Sequence, residues 1–149
     1  MRGDVSADGA SAPISTRQFR ETDTDDVLRL WSAAGIDRPW LDLRAEIAEK
    51  IQRDPQLFVV AVAGQVTVGA AMGAYDGRRG WVYHLAVDPP RRRQGIGRAL
   101  MIGLEAEMRA LGVKKINLQV RADNDSAVGF YERLGYTDER LTSLGKWLG

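Results

Sequence analysis

Val87-Asp88-Pro89-Pro90-Arg91-Arg92-Arg93-Gln94-Gly95-Ile96-Gly97-Arg98 takes the chain from an apolar run through a Pro-stopped turn into a basic loop with two glycines. After it, Ile96, Leu100, Leu104, Met108 and Leu111 fall on one stripe of a helix expected over residues 95–111. A helix start carries unpaired backbone N–H groups and a partial positive charge. Glycine lets an anion approach that backbone, and Arg92, Arg93 and Arg98 add forked donors. The combination describes a pyrophosphate site. It is not a Walker A loop, which needs Gly-Lys-Ser/Thr, and it lacks the third glycine of the dinucleotide fingerprint.

Outward from this stretch the chain reads as alternating elements. Strands are expected at residues 14–19, 57–63, 66–75, 81–87 and 116–120, with one or two more within 136–147. Thr24 can cap a helix with Asp25 and Asp26 in its first turn; its apolar face is Val27, Leu28, Leu30, Trp31 and Ala34. A second helix, residues 42–53, spaces Leu43, Ile47 and Ile51 four apart. A last helix is expected at 125–134. This order predicts an α/β fold in which one mixed sheet carries helices on both faces. Residues 1–13, rich in Gly, Ala, Ser and Asp, read as a flexible tail before a single domain at 14–149.

Composition narrows the chemistry. A chain of 149 residues, 44% hydrophobic and 28% charged, suits one domain with a real core. With no cysteine and one histidine, His84, thiolate chemistry, disulfides and a zinc site are excluded, and no metal is expected. The 21 basic and 20 acidic residues leave a net charge of +1, which gives no general field for nucleic acid or an anionic membrane. No apolar run reaches the roughly 20 residues of a membrane span, so a cytoplasmic location is the default expectation.

Farther on, the sequence runs Asn117-Leu118-Gln119-Val120-Arg121-Ala122-Asp123-Asn124, then carries Phe130-Tyr131 and Leu134-Gly135-Tyr136. Together with Arg92-x-x-Gly95-x-Gly97, this block resembles the GNAT superfamily of N-acetyltransferases. Leu30-Trp31, Arg38-Pro39-Trp40, Tyr75-Asp76-Gly77-Arg78-Arg79-Gly80 and Ser143-Leu144-Gly145-Lys146 extend the likeness to the small bacterial acetyltransferases of the YpeA type.

The resemblance implies a central, mostly antiparallel sheet of six to seven strands, splayed at the cofactor site and flanked by about four helices. It implies acetyl-CoA as cofactor, with transfer to a primary amine of a small molecule or peptide. The backbone of Leu85, Ala86 and Val87 would pair with the pantetheine arm. Arg92, Arg93, Gln94, Gly95, Ile96, Gly97 and Arg98 would hold the pyrophosphate. Asn124 matches the residue that hydrogen-bonds the arm, and Tyr131 the phenol that protonates the leaving thiolate; packed in the core is the other reading of Tyr131.

Positions where related enzymes place a glutamate base look like Trp81 and Gln119, and neither can act as one. His84, Asp76 and a water chain are left, with the water route favoured. Arg38, Trp40, Tyr75, Asp76 and Arg79 are candidates for the acceptor pocket, Trp40 reading rather as a packed anchor behind Pro39. No nucleic-acid or membrane partner is expected, and a homodimer is compatible. A non-catalytic acetyl-CoA-binding regulatory module and a phosphate-binding enzyme of another fold are the rival classes.

Overall fold

A computed structural model describes residues 12–149, so the tail expected at 1–13 lies almost wholly outside the described residues. The chain falls into two compact units, one running to Asn117 and the other Leu118–Gly149.

In the first unit, β1 (Ile14–Gln18) leads through a short 3₁₀ turn to α1 (Thr24–Ala33) and α2 (Leu43–Arg53). Strands β2 (Phe58–Ala63), β3 (Val66–Tyr75) and β4 (Gly80–Val87) follow, then α3 (Ile96–Ala110) and β5 (Ile116–Leu118), whose last residue opens the second unit. The five strands form one sheet in the order β1-β2-β3-β4-β5. The first four pair antiparallel, and Gly80 N–H meets Lys115 C=O at 2.9 Å where β5 begins.

Each face of the sheet is covered. On one, Phe58, Val60, Ala70, Met72 and Ala86 pack with Val27, Leu30 and Trp31 of α1 and with Leu43 and Ile47 of α2. Phe19 stacks on Phe58 with ring centres 4.2 Å apart. On the other face α3 buries Ile96, Leu100, Met101, Leu104 and Met108. It sits close because β3 presents glycines to it: a Cβ at Gly69 would come within 2.9 Å of Ile96 Cγ2 and 3.3 Å of Ala86 O. Gly69→Val is therefore expected to cost about 1–3 kcal/mol, the usual price of overpacking, read as a lower denaturation midpoint.

The sequence reading needs two corrections. Thr24 is the first residue of α1 rather than its cap, because a 3₁₀ turn at Glu21–Asp23 feeds the helix. The residue in the cap position, Asp23, spends its carboxylate elsewhere, on Arg17 at 2.8 Å and Thr67 at 3.1 Å. Burial alone would raise the Asp23 carboxyl, but the hydrogen bonds from Arg17, Arg20 N–H and Thr67 outweigh it and hold the group below its ordinary range. A carboxyl so lowered stabilises the fold at neutral pH, and that contribution is lost as pH falls through its folded value.

The second correction is the strand count: five among the described residues, not six to seven. In the second unit, α4 (Asp125–Arg133) is followed by residues 137–149 with no regular element. Four polar residues, Thr137-Asp138-Glu139-Arg140, open this segment, and Arg140 turns to φ +57 with its N–H on Asp138 Oδ1 at 2.8 Å. That local turn competes with an extended ladder. Leu141, Leu144, Trp147 and Leu148 stay exposed, so little burial repays ordering a strand.

Candidate active site

Strand β4 carries one more residue than β3 between the pairs Ala70–Ala86 and Met72–Tyr83, so Ala71 faces both His84 and Leu85. The bulge places His84 at φ +57, a left-handed conformation in mid-strand. For a residue with a Cβ this costs on the order of 1–3 kcal/mol and persists only when surroundings impose it. Here two elements do so. The Trp31 indole of α1 donates to His84 C=O at 2.8 Å, and Glu46 Oε1 of α2 lies 2.8 Å from His84 Nε2. Trp31 and Tyr83 also meet the imidazole edge-on, with ring centres 5.0 and 5.2 Å away. Glu46 takes this position because α2 turns Leu43, Ile47 and Lys50 into the core, leaving Glu46 beside that face.

Beyond Val87 the chain turns through a 3₁₀ segment, Pro89–Arg91. Arg93 and Gly95 both adopt positive φ, +67 and +79. The first bond of α3 runs from Ala99 N–H to Gly95 C=O, 3.0 Å, so Ile96, Gly97 and Arg98 have N–H groups without intrahelical acceptors. Gly95 offers no side-chain cap. A Cβ there would meet nothing within 4 Å, so the glycine serves the backbone angle and not space. Left-handed residues beside a helix start gather N–H groups into an anion-binding concavity. Arg92, Arg93, Gln94 and Arg98 are exposed around it, and the three arginines form no ion pair among the described residues. These residues fit a pyrophosphate in charge and donor geometry, as the sequence led one to expect.

The other candidates lie apart. Arg38 and Trp40 sit between α1 and α2, both exposed; Trp40 is 60% exposed and is no packed anchor. Three residues that follow one another, Asp37-Arg38-Pro39, are exposed as well, which leaves the indole nothing to pack beneath. Tyr75, Asp76 and Arg79 belong to the β3–β4 hairpin. No hydrogen bond or ion pair links the two groups among the described residues. Asp76 Oδ1 accepts Arg79 N–H at 2.7 Å and Arg78 N–H at 2.8 Å, while Oδ2 accepts the Trp81 indole at 3.1 Å. These bonds, that from Arg79 foremost, hold its carboxyl at about 2. Asp76 thus organises the hairpin and is too weak a base to take a proton from an amine.

In the second unit Asn124 caps α4, its Oδ1 accepting Ala127 N–H at 3.1 Å and Ser126 Oγ at 3.2 Å. Its amide N–H groups are what it can offer a ligand. Tyr131 packs between the rings of Phe130 and Tyr136, centres 4.9 and 5.9 Å away. Burial pushes its phenol up to about 12. Gln119 donates to Ser143 Oγ at 2.7 Å.

The sequence pattern of the acetyltransferase (GNAT) family matches residues 18–136. The chain belongs to the GNAT acetyltransferase family. It is 42% identical over 135 residues to an acetyltransferase of Yersinia enterocolitica, covering 91% of this chain and 96% of that one. It is 46% identical over 137 residues to an acetyltransferase of Sodalis glossinidius, with the same coverages. Among solved structures, an aminoglycoside acetyltransferase from an uncultured soil metagenomic sample superposes with a TM-score of 0.74 over 91% of this chain and 97% of that one; at 21% identity it speaks for the fold alone. The ribosomal-protein-S18-alanine N-acetyltransferase of Escherichia coli gives a TM-score of 0.69 at 25% identity, over 83% of this chain and 77% of that one.

In this GNAT acetyltransferase the sequence singled out the 92–98 loop by its residue types and did not single out Glu46. The only sequence signal for Glu46 is negative: a glutamate beside the apolar face of an amphipathic helix looks like any solvated charge. Its partner is 38 residues away and found only by folding.

Proposed function

We propose that this GNAT acetyltransferase transfers the acetyl group of acetyl-CoA to a primary amine of a small molecule or peptide, by direct attack within a ternary complex. The observation that carries the reading is the start of α3, where two left-handed residues, uncapped N–H groups and three unpaired arginines follow directly on β4. Acetyl-CoA supplies the activated thioester. The backbone of Leu85, Ala86 and Val87 is proposed to align its arm, and Asn124 to donate to it. The chain has no cysteine to carry an acyl intermediate, which favours direct attack. The alanine nitrogen named for the Escherichia coli structure is an acceptor of the proposed kind. A cytoplasmic place, where acetyl-CoA is made, goes with this reading.

Tyr131 is assigned to the leaving sulfur, in a role narrower than full proton transfer. A thiol ordinarily titrates near 8.5, so a phenol pushed to about 12 is the weaker acid and keeps its proton. It can still donate a hydrogen bond to the thiolate. A hydrogen bond to a charged group is worth about 1.5–3 kcal/mol. Tyr131→Phe should therefore lower kcat about 10- to 100-fold with KM for acetyl-CoA nearly unchanged, the mark of an interaction made in the transition state. A loss below about three-fold would reduce Tyr131 to packing.

The test of the whole reading is thiol release from acetyl-CoA across a panel of amines, run beside thermal unfolding with and without acetyl-CoA. Protection together with amine-dependent release is expected. Protection without release by any amine would turn the reading to a non-catalytic acetyl-CoA-binding module. Protection by ATP and not by acetyl-CoA would overturn it.

A further inference from the structure

We infer that Glu46 is the positioning residue that makes His84 the proton acceptor for the incoming amine. The inference rests on the acetyl-transfer reading above, and deepens it at the point where the sequence left the base open.

Three observations in the first unit carry it. His84 is held in a left-handed conformation at a bulge, where one extra residue lets a strand re-aim a side chain. Its backbone is pinned by the Trp31 indole, so the strain is imposed and not incidental. Its Nε2 is bonded to the Glu46 carboxylate at 2.8 Å, with the side chains 17% and 33% exposed. A carboxylate can only accept, so Nε2 carries the proton and Nδ1 keeps its lone pair. Glu46 thereby does for the ring what a carboxylate does for any imidazole base: it selects the tautomer and fixes the orientation.

The surroundings leave the pair to itself. Tyr83, on the same strand, meets the imidazole by its ring edge. Lys50 of α2 stands over the Tyr83 ring at 5.7 Å from its centre, but its ammonium is bonded to Asp54 Oδ1 and Gly73 C=O. Trp31, from α1, is not titratable. Glu46 is thus the one charged group bonded to the imidazole among the described residues. His84 directly precedes Leu85, Ala86 and Val87, and residues 84–88 at about 3.3 Å each span roughly 13 Å. That length sets the imidazole and the pyrophosphate loop at opposite ends of an extended arm.

Nδ1 takes one proton from the ammonium form of the acceptor and passes it to water. The freed nitrogen lone pair forms the N–C bond, and the C–S bond breaks with its electron pair going to sulfur. The second proton of the nitrogen ends on that sulfur, giving free thiol and neutral amide.

His84 is the only histidine in the chain, so its ring can be observed without assignment. Long-range proton–nitrogen NMR correlation on the full chain is expected to show the Nε2–H tautomer. In Glu46→Gln the partner is no longer an acceptor only, so the Nε2–H signature should give way to a mixture of tautomers. kcat/KM for the amine should fall about ten-fold with KM for acetyl-CoA unchanged. Glu46→Asp should recover part of that loss. His84→Asn, which tolerates a left-handed backbone, should cost about 10²- to 10⁴-fold in kcat/KM. An Nδ1–H tautomer in the parent, or a tautomer ratio indifferent to Glu46→Gln, overturns the inference whether or not an amine has been found. Thiol release by the parent with kcat/KM unchanged in both Glu46→Gln and His84→Asn overturns this inference alone, whereas no release from the parent overturns it together with the acetyl-transfer reading.

Discussion

Gly97→Asp is expected to abolish the thermal protection that the proposed acetyl-CoA binding would give, while the protein stays folded. Gly97 lies in the first turn of α3 and has no positive φ, so its backbone accepts a side chain. A carboxylate in a first turn favours the helix by about 0.3–1 kcal/mol, because it faces the positive end of the dipole. The same carboxylate fills the concavity formed by the N–H groups of Ile96, Gly97 and Arg98 and repels a pyrophosphate. Stability and binding are therefore pushed in opposite directions by one substitution. A ligand present at 100 times its Kd adds about 2.7 kcal/mol to the parent. For a domain of this size that is roughly 5–10 °C in Tm. The expected result is an unchanged or slightly raised Tm without ligand, and no shift with it. A full shift in the variant would move the cofactor away from this loop.

Trp31→Ala is expected to cost about 3–5 kcal/mol, the range for deleting a buried tryptophan, out of a total that for most domains is about 5–15 kcal/mol. Trp31 is fully buried, lies parallel to Phe58 with ring centres 5.9 Å apart, and holds His84 C=O. Trp31→Phe separates these roles. It retains most of the ring and removes the indole donor, leaving a carbonyl without its partner, at a cost of about 1–3 kcal/mol. With the bulge no longer pinned, His84 shifts, and misplacement of about 1 Å at a reacting group costs up to about 10²-fold in rate. Urea unfolding should show a lower midpoint with unchanged slope, alongside the fall in kcat. A Trp31→Phe enzyme with parental kcat would mean that the bulge holds its shape without the indole.

Most elements were legible because their signals are local. Alternating and β-branched runs marked β2, β3 and β4 to within a residue, and spacing of four marked α2 and α3. The exception, residues 136–147, has no alternation to read, and Arg140 turns the backbone where a strand was expected. Asp76 shows the same limit at the site. As a residue type it is a candidate base, yet two backbone N–H groups and an indole from its own hairpin commit it as an acceptor.

Glu46 and His84 mark where sequence stops. The sequence by itself determined the family and the order of elements through α4, and it singled out the 92–98 loop, because the residue types that mark that loop lie within a few positions of one another. It also offered His84 as a base, behind a water route. Only the tertiary structure decided that β4 bulges at His84, that α1 pins the bulge and that α2 brings a carboxylate to the ring. Those contacts join residues 38 and 53 positions apart. What pairs across such separations is set by how two helices pack on a sheet, and no local spacing encodes it.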